Sequence, residues 1–90
     1  MYKESIIMKS ETGLHPRPAS RFVSKASRFK SDIVVIMDGQ GYNAKSIMGL
    51  LSMGACKGDV LTIQAEGSDA YEAVKVLADL IYSEEGSWEN

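Results

Sequence analysis

The C-terminal third of the chain contains a one-sided apolar stripe, which constrains the fold more than any other sequence feature. The stripe consists of Ala70, Ala73, Val74, Leu77, Leu80 and Ile81. These residues recur every three or four positions, the spacing that places side chains on one face of an α-helix. Asp69 and Glu72 resemble a capping box at the start of this helix. Because a helix with one apolar face must cover it with another element, the stripe predicts a layered domain.

Two further helices are predicted upstream of this stripe. The first should run from Pro16 to about Phe29, because proline suits a first helical turn and the apolar residues that follow it share one face. Those residues are Ala19, Phe22, Val23 and Ala26. The second is a two-turn helix with Ser46 as its N-cap and Gly54 as a left-handed C-cap. Its predicted apolar face is formed by Ile47, Leu50 and Leu51.

Four short runs have the composition or the alternation of β-strands. They cover residues 2–8, 32–37, 40–44 and 60–66. Asp38-Gly39 between the second and third runs favours a type I′ hairpin turn. The predicted element order is therefore βαββαβα, and a chain of 90 residues has room for a single domain, residues 1–90. We expect an α+β fold, an open-faced β-sandwich in which a four-stranded antiparallel sheet carries three helices on one face.

The composition excludes several classes of function. One cysteine and one histidine can form neither an internal disulfide nor a zinc site of the usual kind, so no structural metal and no cofactor are expected. A net charge of −2 disfavours general attraction to nucleic acid or anionic membranes. No apolar run is long enough for a membrane-spanning helix or a secretory signal, so we expect a cytoplasmic protein without membrane insertion.

His15 lies just before the first predicted helix, and Arg17 follows it by two residues. An imidazole with a pKa near ~6.5 is available in its neutral, nucleophilic form at cytoplasmic pH. The helix start offers N–H donors, and the guanidinium group can bind phosphate oxygens with two hydrogen bonds. These groups suit a site that accepts a phosphoryl group on nitrogen, although the spacing alone also fits a loop histidine without a function.

Two motifs resemble the signatures of the HPr family of the sugar phosphotransferase system. They are GLHPRPAS at residues 13–20 and AKSIMGLLSMG at residues 44–54. The resemblance extends over essentially the whole chain and implies a phosphoryl carrier rather than an enzyme. This carrier would accept phosphate from phosphoenolpyruvate by way of Enzyme I, on the δ1 nitrogen of His15, with Arg17 stabilising the transferring group. It would then pass the phosphate to Enzyme IIA domains.

The resemblance also implies regulation and a docking surface. Ser46 matches a serine that HPr kinase/phosphorylase modifies in low-GC Gram-positive bacteria, which links the family to a catabolite-control transcription regulator. We expect a monomer whose partners contact Arg21, Ile47, Met48 and Leu51; for Met48, burial in the core is an equal alternative. Two departures from the family pattern bear on these contacts. Pro16 replaces a small residue, and serines at 24 and 27 replace lysines, which shifts the positive charge of the first helix to Arg21, Lys25 and Arg28.

Three other functions are weighed against this interpretation. A hydrolase with Ser46 or Cys56 as nucleophile would need a base and an orienting group, and His15 is the sole histidine. An RNA-binding sheet would need aromatic residues, and the predicted strands supply only Tyr2 and Tyr42. The closest alternative is an HPr-like paralogue that acts mainly as a regulator of carbon catabolite repression through Ser46. Such a paralogue is expected to lack the histidine, which this chain retains.

Overall fold

The structure is a computed structural model that describes the backbone of residues 1–8 and 16–84 and the side chains of residues 1–8 and 19–81. Its elements are β1 (Tyr2–Ile7), α1 (Pro16–Ala26), β2 (Asp32–Met37), β3 (Gln40–Asn43), α2 (Ile47–Met53), β4 (Val60–Glu66) and α3 (Ala70–Glu84). The predicted order βαββαβα is confirmed. No helix in the described part of the chain is both long and apolar enough to cross a membrane.

The four strands form one antiparallel sheet in the order β1-β4-β2-β3. The register places Ile6 opposite Leu61 and Val35 opposite Ile63, and all four side chains are buried. The opposite face is open, and there Ser5 and Thr62 share a hydrogen bond of 2.8 Å between their hydroxyl groups. The three helices cover the buried face, so the predicted open-faced α+β sandwich is confirmed.

The hairpin between β2 and β3 turns as its sequence predicts. Asp38 has φ 53° and Gly39 has φ 81°, and a type I′ turn needs positive φ at both central positions. Asparagine, aspartate and glycine adopt such angles at low cost. The Asp-Gly pair therefore fixes the β2–β3 register from Val34 opposite Asn43 to Met37 opposite Gln40.

The apolar stripes of α1 and α3 supply much of the core. Every member of the α3 stripe is buried, and on α1 Val23 is the only predicted face residue that stays half-buried. The α1 helix ends at Ala26, three residues before the predicted end. Its last turn tightens, because the amide groups of Arg28 and Phe29 donate to carbonyls three residues back, at 3.1 and 3.2 Å.

The Asp69 carboxylate has a different role from the one that the predicted capping box gave it. Its carbonyl accepts the first hydrogen bond of α3, from the Ala73 amide at 2.9 Å. Its carboxylate binds the loop between α1 and β2, where it accepts from the Lys30 amide at 2.8 Å, the Ser31 amide at 3.0 Å and the Ser31 hydroxyl. The hydrogen bond from the Ser31 hydroxyl has the largest effect on the pKa of Asp69. Together, these hydrogen bonds hold that pKa below its ordinary value. Asp69 therefore ties the start of α3 to the loop that leads into β2.

Candidate functional site

His15 belongs to the segment 9–15, which lies outside the described residues. The structure shows that α1 begins at Pro16, directly after this histidine, as the sequence predicts. Arg17 is the second residue of that helix, and its side chain also lies outside the described part. The two residues are thus placed by the chain at the N-terminal end of α1, where the first amide groups of a helix lack helical partners. Of residues 16–18, only Arg17 has a backbone N–H that an anion can use.

Ser46 caps α2, which confirms the predicted start of this helix. Its backbone is extended, with φ −119° and ψ 116°, and its hydroxyl oxygen accepts a hydrogen bond from the Gly49 amide at 3.0 Å. Gly54 closes the helix with φ 65°, and its amide donates to the Leu51 carbonyl. The Ser46 hydroxyl therefore lies at the positive end of the α2 dipole.

Gly49 leaves space beside this hydroxyl, which sequence reasoning did not anticipate. A Cβ atom at position 49 would lie 3.3 Å from the Ser46 oxygen and 3.5 Å from the Asn43 carbonyl oxygen. The first separation is tight for a methyl group next to an oxygen that already accepts a hydrogen bond, whereas the second is an ordinary van der Waals contact. The absence of a side chain at position 49 therefore keeps the Ser46 hydroxyl uncrowded.

Lys45 joins the start of α2 to the loop that follows α1, a contact that the sequence did not indicate. Its ammonium group donates to the Phe29 carbonyl at 2.8 Å, and its amide donates to the Asn43 side-chain oxygen at 2.9 Å. Phe29 lies in the loop, three positions after the last residue of α1. The neighbour of Ser46 thus links the start of α2 to the loop that follows α1.

One side of α2 presents an exposed apolar patch, here called the α2 patch and formed by Ile47, Met48 and Leu51. Met48 is 73% exposed and Ile47 is 36% exposed, while Leu51 is half-buried. The exposure of Met48 excludes the alternative that it lies in the core. Large exposed apolar patches are a common feature of surfaces that contact other proteins.

The predicted core face of α2 is wrong at Ile47. The buried residues of this helix are Leu50 and Met53, which are 1% and 5% exposed. They lie three positions apart on one face and pack into the main core. Ile47 is the first residue of the helix, at the edge of that core, so its side chain stays partly in solvent. Ile47 is therefore part of the exposed α2 patch rather than of the core.

Arg21 is exposed on α1, which packs directly against α2. Arg21 therefore lies on a helix that neighbours the helix of the α2 patch. Cys56 is exposed in the loop after α2, where its amide donates to the Asp59 carboxylate at 2.8 Å. Among the residues with described side chains, no cluster of three or more His, Cys, Asp or Glu could hold a metal ion.

Comparison with known proteins identifies the family. The profile of the family described as PTS HPr component phosphorylation site matches residues 2–83. The phosphocarrier protein HPr of Vibrio cholerae is 44% identical over 81 residues, which cover 90% of this chain and 95% of that protein. The chain therefore belongs to the HPr family of phosphocarrier proteins of the phosphotransferase system.

Solved structures place the chain near both branches of this family. HPr from Thermoanaerobacter tengcongensis superposes with a TM-score of 0.89 at 50% identity, over 96% of this chain and 97% of that one. Crh, a catabolite repression protein of Bacillus subtilis described as a dimer with a swapped domain, has a TM-score of 0.74 at 42% identity. That match covers 93% of this chain and 97% of Crh. Sequence identity alone therefore leaves a carrier role and a regulatory role both open.

Proposed function

We propose that this chain is a phosphocarrier of the sugar phosphotransferase system, with His15 as the acceptor. The phosphoryl group would break its bond to Enzyme I and form a P–N bond with the lone pair of the δ1 nitrogen of His15, which is unprotonated while the ε2 nitrogen carries the proton. A second transfer would break this bond when an Enzyme IIA domain accepts the group. The phosphohistidine is then a stoichiometric intermediate, so the protein is a carrier and not a catalyst.

One observation carries this proposal: α1 starts at the residue that follows the histidine, within a chain that matches the family over residues 2–83. The N-terminal end of a helix favours negative charge and offers unpaired N–H groups. Pro16 and Pro18 have no N–H, so Arg17 is the sole backbone donor between His15 and Ala19. The amide and the guanidinium group of Arg17 would therefore carry most of the phosphoryl stabilisation.

The α2 patch and Arg21 fit a surface that receives Enzyme I and Enzyme IIA domains. Met48 supplies an exposed, flexible apolar side chain, which adapts to different partner surfaces. Arg21 adds a positive charge on the neighbouring helix, which suits an acidic partner. The Lys45 bond to the Phe29 carbonyl links α2 to the loop that follows α1. Each partner would thus meet the same preformed surface.

Ser46 is the proposed site of regulation by HPr kinase/phosphorylase. A phosphate on its oxygen would carry roughly −2 charge at the N-cap of α2, where the helix dipole favours an anion. The same charge would lie beside Ile47 and weaken binding of an acidic Enzyme I surface. In hosts with a catabolite-control transcription regulator, the phosphorylated form would instead serve as its partner.

The second candidate function is that of a regulator of the Crh type, and the 42% identity to Crh supports it. The histidine at position 15 favours the carrier, since a pure regulator has no use for a phosphoryl acceptor. We propose a cytoplasmic location, and a monomer as the working form.

Phosphorylation in a purified system tests the carrier role. The chain is incubated with Enzyme I and phosphoenolpyruvate and its mass is measured before and after acid treatment. We expect a gain of one phosphoryl group that acid removes, and no gain for His15→Ala. A folded wild-type protein that gains no phosphate would support the regulator, and a phosphorylated His15→Ala variant would contradict the assignment of the acceptor.

A further inference from the structure

Positive charge is concentrated on α1 and the loop that follows it. Of the ten Lys and Arg residues in a chain with net charge −2, five lie between residues 17 and 30, and no Asp or Glu occurs in that stretch. The five are Arg17, Arg21, Lys25, Arg28 and Lys30. Because half of the cationic residues lie in one segment, the electrostatic potential there is locally positive and attracts anions, although the protein as a whole is acidic.

Three of these cations follow one another along α1 and the turn after it. Arg21 and Lys25 are four positions apart on the helix, about 5–6 Å apart at their Cβ atoms, and Arg28 lies in the tightened turn after Ala26. Ser20 and Ser24 form a parallel row of exposed hydroxyl groups. Cations and hydroxyl donors therefore lie side by side along the second half of α1 and into this turn.

The two rows line a groove between α1 and α3. It is shallow and widely open to solvent, with a volume of about 420 Å³, and its described lining residues are Ser20, Arg21, Ser24, Lys25, Arg28 and Leu80. Leu80 is the one α3 residue among the described side chains of this lining, and it is 9% exposed. Asp79 precedes Leu80 and is exposed, but it is not part of the lining. The volume lies within the range of small-molecule sites.

We propose that this groove binds a small anion with two or three phosphate groups. Guanidinium groups bind phosphate oxygens with paired hydrogen bonds, lysine adds a point charge, and serine hydroxyls donate to the remaining oxygens. One phosphate group would engage only part of the row, whereas two or three in succession would engage all three cations. Among the described side chains of the lining, only Leu80 is apolar, and this composition favours a small anion over an apolar protein surface or a lipid bilayer. The site shares Arg21 with the proposed docking surface, but the anion is not a substrate of the proposed phosphoryl transfer, so binding is measured without Enzyme I.

The cations near the end of α1 also have a local structural role. Lys25 lies in the last turn of the helix, where a positive charge interacts favourably with the helix dipole. For this reason the test avoids Lys25 and changes Arg21 and Arg28, which are exposed. Each is replaced by glutamine, which keeps the length and the helix propensity close to those of arginine.

The experiment is an NMR titration of amide shifts with inorganic tripolyphosphate, at constant ionic strength. We expect saturable shifts confined to residues 20–28 and to the neighbourhood of Leu80, with weaker binding of orthophosphate. Arg21→Gln and Arg28→Gln should each weaken tripolyphosphate binding roughly tenfold, since each loses a charge-assisted pair. Lys3→Gln, which removes the same charge from the open face of the sheet, should bind as the wild type does.

Three outcomes would overturn the proposal. Shifts that rise without saturation, or that spread over all lysines and arginines, would show only nonspecific ion pairing. Equal loss of binding in Lys3→Gln would show that net charge, rather than the groove, controls the effect. Saturable shifts with a short polyglutamate peptide, and none with tripolyphosphate, would assign the groove to an acidic protein segment. Melting curves of each variant establish that it remains folded.

Discussion

At the scale of single residues, the proposed function depends on a few polar groups at helix starts. Ser46 is the best defined of them, because its hydroxyl accepts from the Gly49 amide at 3.0 Å and so already serves as a cap. Cap residues typically stabilise a protein by about 1 kcal/mol relative to alanine. A regulatory site that is also a cap must be modified without loss of the helix start, and a phosphate at this position meets that condition.

Substitution of Ser46 separates charge from structure. Ser46→Asp supplies another good cap, so its thermal midpoint should stay near that of the wild type, while it accepts phosphate from Enzyme I more slowly. Ser46→Ala should accept phosphate at the normal rate but lose about 1 kcal/mol of stability. Calorimetry and Enzyme I kinetics measure the two effects. Ser68→Asp, in the exposed turn before α3, adds the same negative charge at a distant position and serves as the control. If Ser46→Asp and the wild type had equal Enzyme I kinetics, Ser46 would have a capping role alone.

Loss of the Arg17 side chain should slow transfer without unfolding the domain. Arg17→Ala should reduce the rates of phosphoryl transfer to and from His15 by at least about tenfold, since a positioned cation stabilises charge in the transition state. The two flanking prolines remove other donors and increase this dependence. Rapid-quench kinetics with Enzyme I measure the rate, and Lys3→Ala is the control for loss of one positive charge. Rates within twofold of the wild type would exclude Arg17 from the site.

At the scale of elements, two contacts between distant segments set how the helices lie relative to each other. The Lys45 ammonium binds the Phe29 carbonyl and so joins the start of α2 to the loop that follows α1. The Asp69 carboxylate binds Lys30 and Ser31 and so joins the start of α3 to the loop that leads into β2. Gly67, with φ 148°, allows the turn before α3 to approach Ser31, because a Cβ there would lie 2.8 Å from the Ser31 Cα.

The Asp69 contact should make stability depend on pH in the acid range. The pKa of Asp69 is lower in the folded state than in the unfolded state. Its ionised carboxylate therefore adds to the free energy of unfolding at pH values above the unfolded-state pKa of about 3.9. This stabilisation is lost as the pH falls through the folded-state pKa. Asp69→Asn should therefore be less stable than the wild type at neutral pH, and the difference should shrink below about pH 4. Urea unfolding at several pH values measures this difference. Asp32→Asn, an exposed acid on β2, should follow the wild type, and a difference that does not change with pH would contradict the assignment.

At the scale of the whole molecule, the described core closes within one chain. The buried face of the sheet is covered by its own helices, and Ile7 and Val60, a cross-strand pair at one end of the open face, are each 52% exposed. A pair of this size is small for a stable protein interface. β1 is held against α3 by a Lys75–Glu4 ion pair of 3.2 Å and by the rings of Tyr2 and Tyr71, whose centroids lie 4.7 Å apart.

The oligomeric state is therefore a direct test of the monomer proposal. A domain-swapped dimer, as described for Crh, repeats the contacts of the monomer, so protein concentration controls the balance between the two forms. We expect light scattering after size exclusion to give the mass of one chain over a wide range of concentrations. A dimer mass that persists on dilution would contradict the monomer proposal and would strengthen the likeness to Crh.

The sequence by itself determined the features that depend on near neighbours. The stripe on α3, the Ser46 and Gly54 caps and the Asp38-Gly39 turn could be predicted, because hydrogen bonds and backbone angles within a few residues decide them. The family motifs likewise lie in continuous segments, so His15 and Arg17 could be proposed without a fold.

Only the tertiary structure decided which groups meet across long separations. In a helix of seven residues, the spacings of Ile47 with Leu50 and of Leu50 with Met53 are equally regular, so periodicity could not predict that Met53 faces the core. The Asp69 carboxylate could cap its own helix or bind Ser31, which lies 38 residues earlier in the chain, and the packing of α3 on the sheet selects Ser31. Such contacts depend on how separate elements pack, because burial and partner distance are properties of the assembled layers and not of local sequence.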